Sequence, residues 1–294
     1  MKKILVKLIL AVTILGIAAA TALLFANNRP AEQPTPAELQ ASLEAAIGWV
    51  EANREAILKQ SNPVLWWMVQ RSAEHTGDPR LQALFADYHA RYLDNPRNLW
   101  VPLFHPGRWV PFRIEDIEHY PDYNLHFIYG IGCDAELAEH PVVVPQLRAD
   151  FCDRHPLRPA CVTHQLMGFR FMQRSGCGDP AATSAAVAEL QTRIVRQLTW
   201  DPRVVDVYVQ RVLMLVESGA AERVKPIWLR RVLDAQRTDG GWAGLDPLLE
   251  LGSAASVSFG PRGLSFSAPR SDFHATAQGV LLMSLLAHPA KGVE

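Results

Sequence analysis

The hydrophobic pattern changes character once, near the start of the chain. After Lys2, Lys3 and Lys7 an uncharged run extends from Leu8 to Ala26, and Asn27-Asn28-Arg29-Pro30 ends it. At about 1.5 Å of rise per residue, such a run just crosses a hydrocarbon core of roughly 30 Å. Three lysines precede the run and the lone Arg29 follows it, a bias that leaves the N-terminus in the cytoplasm and exports the remainder. Small residues between Ala18 and Ala22 also fit a cleaved signal. A retained anchor over residues 1–26 is the stronger reading, because the apolar run continues through Leu23, Leu24 and Phe25.

Beyond a polar, proline-bearing tether over residues 27–34, the apolar positions recur at helical spacing. Thr35-Pro36-Ala37-Glu38 combines a hydroxyl cap, proline in the first turn and glutamate three residues after the cap. Leu39, Leu43, Ile47, Val50 and Ile57 continue that helix. Asn62-Pro63 and Asp78-Pro79 start two more, so residues 35–94 predict antiparallel helices with short links. Residues 95–123 break the pattern with prolines at 96, 102, 106, 111 and 121 and with Trp100 and Trp109, an irregular but aromatic segment.

Helices are predicted again from Asn124 to Ile131, Val142 to Phe151, Cys161 to Gln173 and Ala181 to Leu198. Three more run from Pro202 to Glu217, Pro226 to Gln236 and Asp272 to Ala287. Alternation on either side of Gly260-Pro261-Arg262-Gly263 predicts a small β-hairpin near residues 256–267. The fold class that follows is all-α, with an N-terminal transmembrane helix and an exported helical domain over residues 35–294.

One stop in this pattern is distinctive. The helix from Pro226 runs into Gln236, Asp239, Gly240, Gly241 and Trp242. A glycine past the last turn takes the left-handed conformation at little steric cost, and an indole N–H can satisfy a carbonyl left open at the helix end. Leu233-Asp234-Ala235-Gln236 followed by Asp239-Gly240-Gly241-Trp242 resembles the glutamine-tryptophan repeat of the terpenoid cyclase and protein prenyltransferase superfamily. The segment from Ser271 to Met283 resembles the inner helix that follows such a corner. A fainter echo lies upstream, where Thr163…Gly168…Met172 matches His274…Gly279…Met283.

The resemblance implies an α/α toroid, partial or complete, over residues 124–294. Its catalytic motifs do not carry over. Only His274 stands where a prenyltransferase zinc histidine would, and no Asp-x-Cys pair precedes it. The acidic motif of the cyclases is missing. Ser175-Gly176-Cys177-Gly178-Asp179-Pro180 resembles half of the thioester motif of complement-like toroids, but Pro180 offers no amide.

Composition narrows the function classes. The net charge is -1, from 29 basic and 30 acidic side chains, and no basic stripe points to a nucleic-acid partner. Four cysteines, Cys133, Cys152, Cys161 and Cys177, fit an oxidising compartment as two disulfides, Cys152 with Cys161 and Cys133 with Cys177. The predicted location is a bacterial inner membrane, spanned once through residues 8–26, with the body in the periplasm or outside.

Candidate chemistry concentrates at inner-helix starts. The toroid implied by the resemblance turns such starts toward its centre, so Asn124, His126, His164 and His274, with Thr163, are expected to converge on a central cavity. A carbohydrate lyase would use such an asparagine or histidine to neutralise a sugar carboxylate and a tyrosine or histidine as base. A hydrolase would instead need two facing carboxylates. His155, Cys161 and His164 have spacing that would suit zinc if the thiol were free; otherwise no cofactor is implied. The leading reading is a binding or structural module of the envelope whose partner is an envelope protein or glycan. The alternatives are a polysaccharide lyase or hydrolase and a metal-binding protein.

Overall fold

The computed structural model describes residues 2–95, 97–108, 110–155, 158–204, 206–244, 249–250, 256–260, 263–265 and 270–289. The opening apolar run forms one long helix, α1 (Lys2–Asn28), apolar and long enough to cross a membrane and with no part of its apolar span buried in the protein. The capping box at Thr35 and Glu38 starts α2 (Pro36–Ala52), as its sequence demands, and α3 (Arg54–Ile57) follows at once. Asn62 and Asp78 cap α4 (Pro63–Thr76) and α5 (Pro79–Tyr88), each with proline in its first turn. A π-helical turn, His89–Leu93, extends α5.

The irregular segment contributes the short α6 (Val101–Phe104). After it come α7 (Asp122–Gly132), α8 (Ala135–Ala138), α9 (Val143–Gln146), α10 (Cys161–Ser175) and α11 (Pro180–Trp200). The chain then builds α12 (Asp206–Glu217), α13 (Pro226–Asp234) and α14 (Phe273–Ala287). Short strands Ser256–Gly260 and Gly263–Ser265 pair antiparallel between α13 and α14. Trp109, which the sequence pairs with Trp100, and residues 261–262 and 266–267 of the expected hairpin lie outside the described residues.

Three boundaries differ from expectation. Asp201-Pro202 does not begin a helix; α12 starts at Asp206 instead. Asp201 is occupied elsewhere, accepting from Arg203 Nε at 2.7 Å and Arg211 Nη1 at 2.9 Å. The helix expected from Val142 to Phe151 shrinks to α9 and a 3-10 turn, Phe151–Arg154. Asn27, expected in the tether, belongs to α1 and is fully buried.

The packing order follows from which helices are apolar on more than one face. Residues Phe273 to Ser284 of α14 are buried on every side except at His274, because α2, α4 and α12 all pack on it. Helix α12 in turn packs on α10 and α13, α10 on α7 and α11, and the short α6 touches both α7 and α4. Trp66, Trp228, Trp242, Tyr88 and Tyr208 are the largest fully buried side chains, so the Trp66-Trp67 pair is core.

Both expected disulfides are present, Cys133–Cys177 and Cys152–Cys161. The Cys161 sulfur is therefore not available as a thiolate. This corrects the expectation of a His155, Cys161 and His164 zinc site, since a metal needs the deprotonated thiol.

Candidate functional site

Helix α14 begins where Asp272 takes the cap position and accepts from the Ala275 N–H at 2.8 Å. That cap sets His274 in the first turn and Gln278 one turn later, on the same face. Helix α12 opens opposite with Asp206. Its Oδ1 contacts His274 Nδ1 at 3.0 Å and accepts from Gln278 Nε2 at 2.8 Å. A carboxylate only accepts, so the proton of the first contact lies on His274 Nδ1, and in the neutral ring Nε2 is the unprotonated atom. Burial pulls the His274 pKa down, but the hydrogen bond and charge of Asp206, with Asp272 adding, outweigh it and hold it above the ordinary histidine value.

His274 and Gln278 border a cavity of about 760 Å³ that opens among the N-terminal turns of α4, α7, α10, α12 and α14. Helix α10 supplies His164, whose ring stacks on Tyr123 of α7 with centroids 4.3 Å apart and planes at 11°. Burial, reinforced by the neighbouring His274, lowers the His164 pKa to about 4, so this ring is neutral near pH 7. Burial raises the Tyr123 hydroxyl, which stays protonated. Asn62 of α4, Asn124 of α7 and Gln210 of α12 add amides, and Gln210 Oε1 accepts from Thr163 Oγ1 at 2.6 Å. Arg91 and Arg97 bring positive charge to the rim, and among the described residues that line the cavity none is a carboxylate.

Gln278 carries the clearest unmet demand. Its side chain is fully buried and its Oε1 has no hydrogen-bond partner, although the residue lines the cavity. An unpaired buried acceptor costs about 1–3 kcal/mol.

Asn124, His164 and His274 thus share one cavity, as their positions at inner-helix starts suggested. His126 does not, which corrects its expected role. It is fully buried, lies outside the cavity lining and packs edge-on to Phe169 against α10. At about 100° per residue, two positions along α7 turn the side chain some 200° away from Asn124. Thr163 does not line the cavity either: it is fully buried, and its hydroxyl bonds to Gln210. Glu115, Asp116, Glu118 and His119, from the polar stretch just before α7, line no part of the cavity, whereas Tyr120 and Tyr123 do.

Sequence reasoning missed Asp206 and Gln278. Gln278 was legible, one helical turn after His274; Asp206 was hidden because Asp201-Pro202 looked like the start of α12. No protein-family model, no curated protein and no solved structure matches this chain.

Proposed function

We propose that the protein is a membrane-anchored enzyme of the cell envelope that acts on a carboxylate-bearing glycan held in the central cavity. The Asp206–His274 pair is the observation that carries this reading. A histidine beside a cavity whose Nδ1 is oriented by a carboxylate, and whose Nε2 is free once the ring is neutral, is a positioned general base. Arg91, Arg97 and Asn124 offer the donors that would neutralise a sugar carboxylate. Such neutralisation acidifies the carbon beside the carboxylate. His274 can then take that carbon's proton as the bond from the next carbon to the glycosidic oxygen breaks and a carbon–carbon double bond forms. The departing oxygen takes its proton from the Tyr123 hydroxyl, which lines the cavity and stays protonated. Hydrolysis is less well supported, because two carboxylates facing one bond are not found among the described lining residues.

The α/α toroid belongs to the same proposal. The succession α4, α14, α12, α10 and α7, with α6 returning to α4, supports a ring of inner helices around the cavity. Helices α2, α11 and α13, which pack on α14, α10 and α12, would then form its outer layer. Export across a bacterial inner membrane is supported by the apolar length of α1 and by the two disulfides.

The test is incubation of the purified full-length chain with polyuronates while following the ultraviolet absorbance of an unsaturated uronate end. His274→Ala is expected to lower turnover by about 10²–10⁴-fold, the usual worth of a general base. The rate should rise with pH as His274 loses its proton, above the ordinary histidine value. Asp206→Asn removes the group that raises this pKa, so the limb should move to lower pH. Glycan binding without turnover, unchanged in His274→Ala, would sink the enzyme and leave an envelope binding module. No binding of any acidic glycan would sink both.

A further inference from the structure

The last turn of α1 is built into the folded body. Asn27 donates from Nδ2 to the Leu198 carbonyl at 2.6 Å and accepts at Oδ1 from the Tyr208 hydroxyl at 3.0 Å. Its own carbonyl accepts from the Trp228 indole at 3.0 Å. Asn28 donates to the Thr199 carbonyl at 2.9 Å and accepts from Lys225 Nζ at 2.8 Å. Leu198 and Thr199 lie in the last turn of α11, so the place where the apolar helix leaves the body is fixed against the C-terminus of α11.

The next residue is Trp200. Its side chain is 66% exposed, and among the described residues no other tryptophan is exposed. An exposed tryptophan is costly in water and favourable at the headgroup level of a bilayer, where its ring is half apolar and its N–H is wet. Two shallow grooves meet at Trp200 and share Cys152, Val162 and Gln197. Between them they are lined by Arg158, Arg193, Arg196, Arg203 and Arg211, against Asp153 and Asp201 alone.

The pairing within this set leaves charge over. Arg203 and Arg211 share Asp201, and Arg193 holds Asp153. Arg158 and Arg196 are exposed and have no carboxylate partner among the described residues. Arg158 lies in the loop closed by the Cys152–Cys161 disulfide, which limits its movement. On a chain of net charge -1, this concentration of guanidinium groups is local. Guanidinium groups match phosphate in shape and charge.

We infer that this face is a membrane-contact surface that takes the headgroup of an anionic phospholipid, with Trp200 in the interfacial layer and Arg158 and Arg196 on the phosphate. The inference rests on α1 spanning the bilayer and is independent of any chemistry in the cavity. Its consequence is orientation: a rigid junction at Asn27 and a second contact at Trp200 together hold the body in one pose on the membrane.

The experiment uses the full-length chain in lipid nanodiscs carrying brominated phosphatidylcholine or brominated phosphatidylglycerol, with tryptophan emission as the readout. Trp200→Phe should lose at least half of the bromolipid quenching. Phosphatidylglycerol should quench the native chain about twofold more than phosphatidylcholine. Arg158→Gln with Arg196→Gln should abolish that preference while leaving thermal unfolding unchanged. Quenching as strong in Trp200→Phe as in the native chain would overturn the membrane contact. Equal quenching by the two lipids would overturn the headgroup assignment. A chain that stays in the aqueous phase without entering nanodiscs would overturn the span itself, a failure distinct from the other two.

Discussion

His126 and Gly168 decide how closely α7 and α10 approach. A Cβ built on Gly168 would stand 2.4 Å from the His126 ring, so the imidazole lies flat on bare backbone. Both ring nitrogens are buried without a partner, and burial lowers the pKa to about 4. The unfolded chain binds a proton near 6.5, the folded chain only near 4. Stability from this site is therefore present above about pH 6.5 and lost as pH falls through about 4, amounting to roughly 2 kcal/mol between pH 7 and pH 5. His126→Phe keeps the plate and removes two unsatisfied atoms. It should leave pH 7 stability within about 1 kcal/mol of native or above it, and flatten the acid slope in denaturant titrations at the two pH values. Gly168→Ala should cost about 3 kcal/mol or more, because the ring has nowhere to move. A Gly168→Ala variant as stable as the native chain would disprove the close packing.

The same device closes the corner between α13 and α14. A Cβ on Gly279 would meet the Trp242 ring at 2.4 Å, as one on Gly168 would meet His126. The sequence echo between Thr163…Gly168 and His274…Gly279 therefore marks two helices that each receive a flat ring. Trp242 is 1% exposed and its indole donates to the Val232 carbonyl at 2.8 Å, in the last turn of α13. Gln236 donates to the carbonyls of Gly240 at 2.8 Å and Ser42 at 2.9 Å, so the corner also grips α2. Gly240 sits at φ +94°, and a Cβ there would fall 2.2 Å from the Ala45 carbonyl oxygen. Gly240→Ala should lower stability by about 3 kcal/mol or more, from backbone strain and collision together. Trp242→Ala should cost about 3–5 kcal/mol. Equilibrium unfolding measures both, and an unchanged midpoint in Gly240→Ala would contradict the contact. The glycine stop and the buried tryptophan were legible from the sequence. The grip on α2 was not, since Ser42 and Ala45 lie far upstream and show no complementary pattern.

At the scale of the molecule, two covalent links and one polar junction restrain the chain. Cys133–Cys177 ties the C-terminal ends of α7 and α10 across 44 residues, and Cys152–Cys161 closes 9. In the chain-entropy model the longer loop contributes about 4 kcal/mol and the shorter about 2.6 kcal/mol. Cys133→Ser with Cys177→Ser should therefore lower the unfolding midpoint more than Cys152→Ser with Cys161→Ser. The reverse order would show that native contacts, not loop closure, dominate. Asn27→Leu would strip the Leu198 carbonyl and the Tyr208 hydroxyl of their buried partner. Proteolysis just after residue 28 should then become faster, because the body would hang from α1 instead of being locked to it.

Sequence alone determined what depends on neighbours along the chain. The apolar run fixed α1, the Thr35, Asn62 and Asp78 caps fixed three helix starts, and cysteine spacing with compartment gave both disulfides. The toroid implied by the C-terminal resemblance also pointed to Asn124, His164 and His274, which do line one cavity. Tertiary structure decided which face each helix turns inward, and that choice removed His126 from the cavity. It also brought Asp206 to His274 across 68 residues and Asn27 to Leu198 across 171. Such pairings satisfy buried polar atoms only once the helices are packed, so no local pattern in the chain encodes them.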